Sequence, residues 1–206
     1  QSDLYLKKIS AVILNIRASR INSRWNINLH PQECLGGRRM LLSHRTSVKI
    51  RPEYSNIIGH MCYAASKLWN ICNYERRHYK ELGLEKYPDW YYQKKAHKGN
   101  LWYRQLPSQT AQETCKQLDK AWKSFYVLKK TGGIKDPNPP RFKQGNIPVT
   151  YMQMGIRHEK GSDQLRLSLP KDLKSYMEET YGIHEKFLYL ENKIFRDMDH
   201  IKQLRI

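Results

Sequence analysis

The sequence predicts an α+β protein: a small antiparallel β-barrel interrupted by an inserted helical domain. Three observations predict it. An alternating, β-branched stretch, "HRTSVKIRP" at 44–52, stands ahead of a block with helical periodicity. That block ends at a double glycine, followed by a proline-rich segment. Beyond it the period returns to two in four short runs, "VTYMQMG", "QLRLSLP", "KFLYLE" and "HIKQLRI".

Residues 1–43 carry two weakly amphipathic patches, a break at "ECLGGRR" and more bases than acids, and read as an extension of uncertain structure. The chain opens on glutamine, so a preceding segment is expected. The first barrel strand is expected at 44–52, where Pro52 stops it. From Tyr54 to about Lys80, Ile57, Met61, Ala65, Leu68 and Cys72 recur at steps of three or four and form one apolar stripe. The same arithmetic collects Tyr63, Lys67, Asn70, Tyr74 and Arg77 on the opposite side. That ridge suits a polyanion; the alternative is a merely solvated face. Glu75 is the one acid between Asn56 and Lys80, whereas a solvated face usually mixes Glu with Lys.

Residues 87–107, "YPDWYYQKKAHKGNLWYRQLP", interleave Trp90, Tyr91, Tyr92, Trp102 and Tyr103 with Lys94, Lys95, Lys98 and Arg104. Rings that stack on bases and cations that hold phosphates suit single strands or RNA. A short helix pair whose aromatics fill the core accounts for the composition equally well. The next helix carries Ala111, Cys115, Leu118, Trp122 and Phe125 on its packing stripe and Lys116, Lys120 and Lys123 on its far side. Thr110 and Glu113 have the spacing of a capping box, and Gly132 and Gly133 supply the stop. Glu113 and Asp119 are placed to pair locally with some of the lysines. In "DPNPPRFKQGNIP", three prolines ahead of Arg141, Phe142 and Lys143 forbid helix and stiffen the segment into a hinge. "HEKGSD" is a turn between the first two of the four downstream strands. The helical insertion is thus expected over 53–136, and the hinge and remaining strands over 137–206.

Charge points to the partner. Thirty-seven Lys and Arg against 19 Asp and Glu leave +18, spread along the whole chain. Such an excess repels itself in a compact state unless a polyanion accompanies it. Nucleic acid is the expected partner, and an anionic membrane surface the lesser alternative. No apolar run reaches the ~20 residues needed to span a bilayer, and "KKISAVIL" is not followed by a small-residue cleavage site. The four cysteines contain no C-x-x-C pair, so no zinc ribbon is expected; Cys62, Cys72 and Cys115 read as buried thiols in a reducing cytoplasm.

With these residues in view, the stretch 44–206 resembles the N-terminal half of the TnpB/OrfB proteins of bacterial insertion sequences, relatives of the compact type V CRISPR effectors. Four landmarks follow the family's order. A short basic strand runs into Arg51-Pro52. "WNICNYERRHY" resembles the aromatic-Asn…Arg signature through Trp69, Asn70, Tyr74 and Arg77. "LPSQTAQETCKQLDKAWKSFYVLKK" resembles a helix running from Leu-Pro to Ala-x-x-x-Phe, here Ala121 and Phe125. "PPRFK" resembles Pro-Arg-Phe-Lys, and "LRLSLPK" takes the place of a Leu-x-Leu-Pro-Lys strand. The resemblance implies a wedge-like barrel with a recognition domain, described in older accounts as a transposase helix-turn-helix. It implies that guide RNA from a transposon end and target DNA are bound, with sequence read by base pairing.

The family cuts DNA with a RuvC-like domain that holds divalent metal, and carries a zinc ribbon within it. Both are expected beyond residue 206, so no catalytic residue, metal or cofactor is expected within this stretch. Glu178, Glu179, Glu185, Glu191, Asp197 and Asp199 lack the Gly-Ile-Asp-Leu-Gly setting and read as surface charge. The expected nucleic-acid ligands are Arg51, Tyr63, Lys67, Asn70, Tyr74, Arg77, Lys94, Lys95, Arg104, Lys116, Lys120, Lys123, Arg141, Phe142 and Lys143. Two alternatives stand beside this reading: a nuclease-lacking RNA-guided repressor, and a generic structured-RNA-binding protein.

Overall fold

The computed structural model describes residues 7–17, 41–132, 134–198 and 201–206. Its elements alternate between sheet and helix: β1 (Lys7–Arg17), β2 (Leu41–Ile50), α1 (Pro52–Arg77), α2 (Trp90–Ala96), α3 (Leu101–Arg104), α4 (Ser108–Thr131), β3 (Thr150–Met152), β4 (Ile156–His158), β5 (Gln164–Ser168), α5 (Lys171–Tyr181), β6 (Phe187–Glu191) and β7 (Ile201–Arg205). The strands form one seven-stranded sheet in the order β3-β7-β1-β2-β6-β5-β4, and every pairing is antiparallel.

The two edge strands of that sheet are neighbours in the chain. Only the 3₁₀ turn Gln153–Gly155 separates β3 from β4. Laid flat, seven strands would put the edges roughly 29 Å apart, whereas the turn can span at most about 14 Å. The sheet is therefore curled until its edges approach, although no ladder joins β3 to β4 among the described residues. Gly155 sits at this crossing because a Cβ there would lie 3.0 Å from the ring of Tyr151 and 3.2 Å from Ser168 Oγ. Along the strands, Val48, Ile50, Tyr151, Leu165, Leu167, Leu188, Leu190 and Leu204 point into the core, while Lys49, Arg157, Gln164 and Lys202 face water. This is the two-residue alternation of a sheet with one face covered.

The sheet reaches further back than the sequence pattern suggests. Residues 7–17, read as part of an uncertain extension, form β1, which pairs with β2 from Lys7↔Ile50 to Arg17↔Leu41 and with β7 on its other side. β2 accordingly begins at Leu41 rather than 44. The break "ECLGGRR", Cys34, Gly133 and Asp199 lie outside the described residues.

Pro52 ends the strand and starts α1, standing in the helix's first turn, where its missing N–H costs nothing. The expected stripe is buried: Ile57, Met61, Ala65, Leu68 and Cys72 are inaccessible. The N-terminal half of α1 lies on the sheet, where Tyr151 Oη meets Met61 Sδ at 3.3 Å and His60 stacks on Tyr176 of α5. Its C-terminal half packs on α4. Cys72 meets Cys115 (Sγ–Sγ 3.9 Å), and Arg76 meets Asp119 four residues on in each helix, so the two run side by side in the same sense. α2 and α3 carry the chain back between them.

Two local expectations fail. The capping box does not form: α4 begins at Ser108 with Pro107 at the N-cap and no side-chain cap, which places Thr110 inside the first turn, where its hydroxyl is buried. A helix not anticipated from the strand pattern, α5, occupies 171–181. Its signals are Leu173 and Met177 four apart, both buried, between Pro170 and Gly182, whose φ of 63° supplies a left-handed C-cap. At the end of α4, Gly132 does the same with φ 65°.

Candidate nucleic-acid interface

The stretch "WNICNYERRHYK" divides between two tasks. Arg76 continues the apolar stripe, four residues after Cys72, and its side chain is buried. Its anion is internal. Nη1 donates to Asp119 Oδ1 at 2.9 Å and Nε to Gln93 Oε1 at 2.9 Å, while the guanidinium lies 5.5 Å from the centre of the Tyr87 ring. Gln93 in turn donates to the Cys72 carbonyl and to Glu75 Oε2, which also meets His97 Nε2 at 3.2 Å. Burial pushes the Asp119 carboxyl up, but Lys123 and Arg76 overcome it and hold it below the ordinary carboxylate range. Glu75 is likewise lowered against its burial by His97 and Gln93. A charged network inside α1, α2 and α4 thus locks these helices together.

The other face of α1 holds the hinge. Trp69 Nε1 donates to the Arg141 carbonyl at 3.1 Å, and Asn73 Nδ2 and Arg77 Nη2 donate to the Pro140 carbonyl at 2.9 and 2.7 Å. Asn70 clamps Lys143 on both sides: its Nδ2 donates to the Lys143 carbonyl at 2.8 Å and its Oδ1 accepts the Lys143 N–H at 2.7 Å. Asn73 is oriented by Trp122, whose Nε1 donates to Asn73 Oδ1. "PPRFK" is therefore a strap bound along α1 by its backbone, which no strand or helix would leave free to pair this way. The structure gives Asn70 this architectural task, since its amide is committed to the strap. Trp69, which the signature includes, and Asn73, not singled out from the sequence, share it; the spacing of Asn73 with Asn70 and Arg77 along one helical face is the signal that could have found it.

Holding the strap by its backbone leaves its side chains outward. Arg141 and Phe142 are exposed, with Arg77 lying over the Phe142 ring at 4.9 Å and Lys143 Nζ over Trp69 at 4.7 Å. Tyr74 is exposed beside them on α1 and packs against His78. Earlier on the same face Lys67 Nζ sits 4.8 Å above Tyr63, which meets Trp102 edge-on. The face is cationic and aromatic, as its periodicity implies.

The 87–107 segment is a helix pair, α2 and α3, whose rings divide between the core and the surface. Tyr103 is buried and Trp90 and Trp102 pack against the core, whereas Tyr91 and Tyr92 face water. Lys94 and Lys95 lean over Tyr91, and Lys94 and Lys116 over Trp90.

The remaining expected ligands differ in how free they are. Lys120 is exposed. Lys123 is exposed but pairs with Asp119 at 2.8 Å, as local pairing suggested. Arg104 is engaged by Asp172 through Nε at 2.8 Å and Nη2 at 3.1 Å, and Arg51 pairs with Glu185 at 2.7 Å, so each reaches an anion only by leaving a carboxylate. Of the C-terminal acids, Glu178, Glu179 and Glu191 are exposed. Cys72 and Cys115 are buried thiols, and burial lifts that of the part-buried Cys62 to about 11. Among the described residues no three His, Cys, Asp or Glu side chains converge as metal ligands, and no helix is long and apolar enough to cross a membrane. Comparison of the chain with protein-family models and with curated proteins finds no match.

Proposed function

We propose that this chain binds nucleic acid in the manner of the N-terminal half of the TnpB/OrfB proteins, holding a guide RNA and its DNA target between a wedge-like barrel and an inserted helical recognition domain. The observation that carries this reading is the strap. Four side chains of α1 grip the backbone of Pro140–Lys143, which turns Arg141 and Phe142 outward, with Arg77 over the Phe142 ring, on the helix face that also carries Lys67 and Tyr74. A prestiffened segment that presents cation, ring and cation loses little conformational entropy when it meets a phosphate backbone. The curled sheet, whose strands flank the helical block in the chain, supports the barrel-and-insertion part of the proposal. With a net charge of +18, long-range attraction brings the polyanion in and phosphate contacts hold it.

The test is to purify the chain from cells that also carry the neighbouring transposon end and to sequence the RNA that accompanies it. A discrete transcript of that end is the expected result. Bulk ribosomal RNA in its place overturns the guide and leaves a general RNA binder. In vitro, affinity for the captured RNA should fall steeply with salt, with a slope of about −0.7 per phosphate neutralised on single strands. A flat salt profile overturns nucleic-acid binding altogether.

A further inference from the structure

Five side chains outside the strap form a chain of alternating charge and ring. Lys116 Nζ lies 4.7 Å from the centre of Trp90; Lys94 Nζ lies 4.7 Å from Trp90 and 4.1 Å from Tyr91; Lys95 Nζ lies 4.8 Å from Tyr91. The two rings meet edge-on at 5.5 Å. Neighbouring ammonium groups that share a ring are thus less than about 10 Å apart, within one screening length at 0.1 M salt. Among the described residues none of the three pairs with a carboxylate. Of the acids within three residues of the cluster, Asp89 accepts the Tyr92 N–H as the cap of α2, Asp119 is held by Arg76 and Lys123, and Glu113 forms no ion pair with Lys116. Three cations are gathered from two helices, α2 and α4, with only ring faces to neutralise them. Half of Tyr91 remains exposed.

We propose that Trp90, Tyr91, Lys94, Lys95 and Lys116 dock an unpaired nucleotide of a single strand, a deeper reading that rests on the nucleic-acid function above. The base stacks on Tyr91, and the displaced ammonium groups swing on their flexible stems to the phosphates on either side. Stacking of a base outweighs the contact of an exposed cation with the same ring, so the exchange favours the strand. Trp90 contributes by fixing the cluster: it is half-buried against the core and holds two of the lysines in place. A duplex cannot use the site in this way, because its bases are already stacked inside. Neither ring reads a ribose hydroxyl, so RNA and DNA single strands serve alike.

The experiment measures fluorescence-anisotropy titrations of the full chain with a 12-nucleotide RNA, the matching DNA strand and the corresponding DNA duplex. Tyr91→Ala is expected to weaken both single strands by on the order of tenfold and the duplex by less than twofold, with Tyr91→Phe unchanged because the ring remains. Lys95→Gln should reduce the single-strand salt slope by about 0.7, a readout that does not depend on the Tyr91 variant keeping its fold. If wild type binds and Tyr91→Ala holds single strands within twofold, or loses duplex equally, the dock is overturned while the general function stands. If no form binds in a salt-dependent way, both fall.

Discussion

Removing Asp119 should unlock the helices. Arg76 has its side chain 1 % exposed and Asp119 6 %, so the pair at 2.9 Å sits in a medium where an unpartnered guanidinium is poorly solvated. Among the described residues, Asp119→Ala leaves Gln93 as the only hydrogen-bond partner of Arg76, with Nη2 already lacking one. Breaking a buried pair on one side costs about 3–5 kcal/mol. The second contact of Asp119, with Lys123, adds only a few tenths, since that ammonium is 73 % exposed and water replaces the carboxylate. For a chain of this size each kcal/mol moves Tm by about 2–4 °C, so a fall of roughly 6–20 °C is expected. Urea unfolding followed by tryptophan fluorescence measures it, because Trp122 and Trp69 report on the α1–α4 packing. The double variant Arg76→Met/Asp119→Leu should recover most of the loss, since two apolar residues remove both charges from the interior. Lys123→Ala should cost less than about 0.5 kcal/mol. An Asp119→Ala protein within about 1 kcal/mol of wild type refutes the buried network, and a double variant no better than the single one refutes the charge as its cause.

The same carboxylates set an acid limit. Asp119 and Glu75 are both held below their ordinary values, so the stability they confer is complete above the unfolded carboxylate range, near pH 4, and is lost as pH falls through their lower folded values. Tm should therefore drop as pH falls below about 5, and Asp119→Asn should flatten that drop; an unchanged slope in the variant contradicts the assignment. Asn70→Ala removes both clamps on Lys143 and should cost on the order of 1–2 kcal/mol. Trypsin cleavage after Arg141 and Lys143, followed by mass spectrometry, should accelerate several-fold in Asn70→Ala and not in Lys67→Ala; equal rates in all three would remove the strap's anchoring from Asn70.

Much of the helical part was legible because its signals are local. The three-and-four spacing of Ile57, Met61, Ala65, Leu68 and Cys72 needs only the pitch of one helix, and Pro52 and Gly132 act through their own backbone geometry. The exposed ridge of Tyr63, Tyr74 and Arg77 follows from the same pitch. Four of the five downstream strands, β3, β5, β6 and β7, showed through their two-residue period; β4, only three residues long, did not. The apolar pattern in 7–17 was no weaker, but β1 gains its backbone partners from β2 and from β7, the latter nearly 200 residues on, and no local window contains them. The capping box failed for a related reason: the entry of the chain from α3 through Leu106 and Pro107 decides where α4 starts.

Sequence alone thus determined the net charge of +18, the faces of α1 and α4, and the stiffness of the proline segment, all of which depend on residue chemistry and short-range spacing. Tertiary structure decided which polar groups remain available to a ligand. Arg76 looks like its neighbour Arg77 in the chain, yet one is sealed against Asp119, 43 residues away, and the other lies over Phe142 at the surface. Asn70 is taken by Lys143, 73 residues away, whereas Lys95 lies over the exposed ring of Tyr91. A side chain's chemistry states what it can bind; only the packed chain determines whether that partner has already been supplied from within.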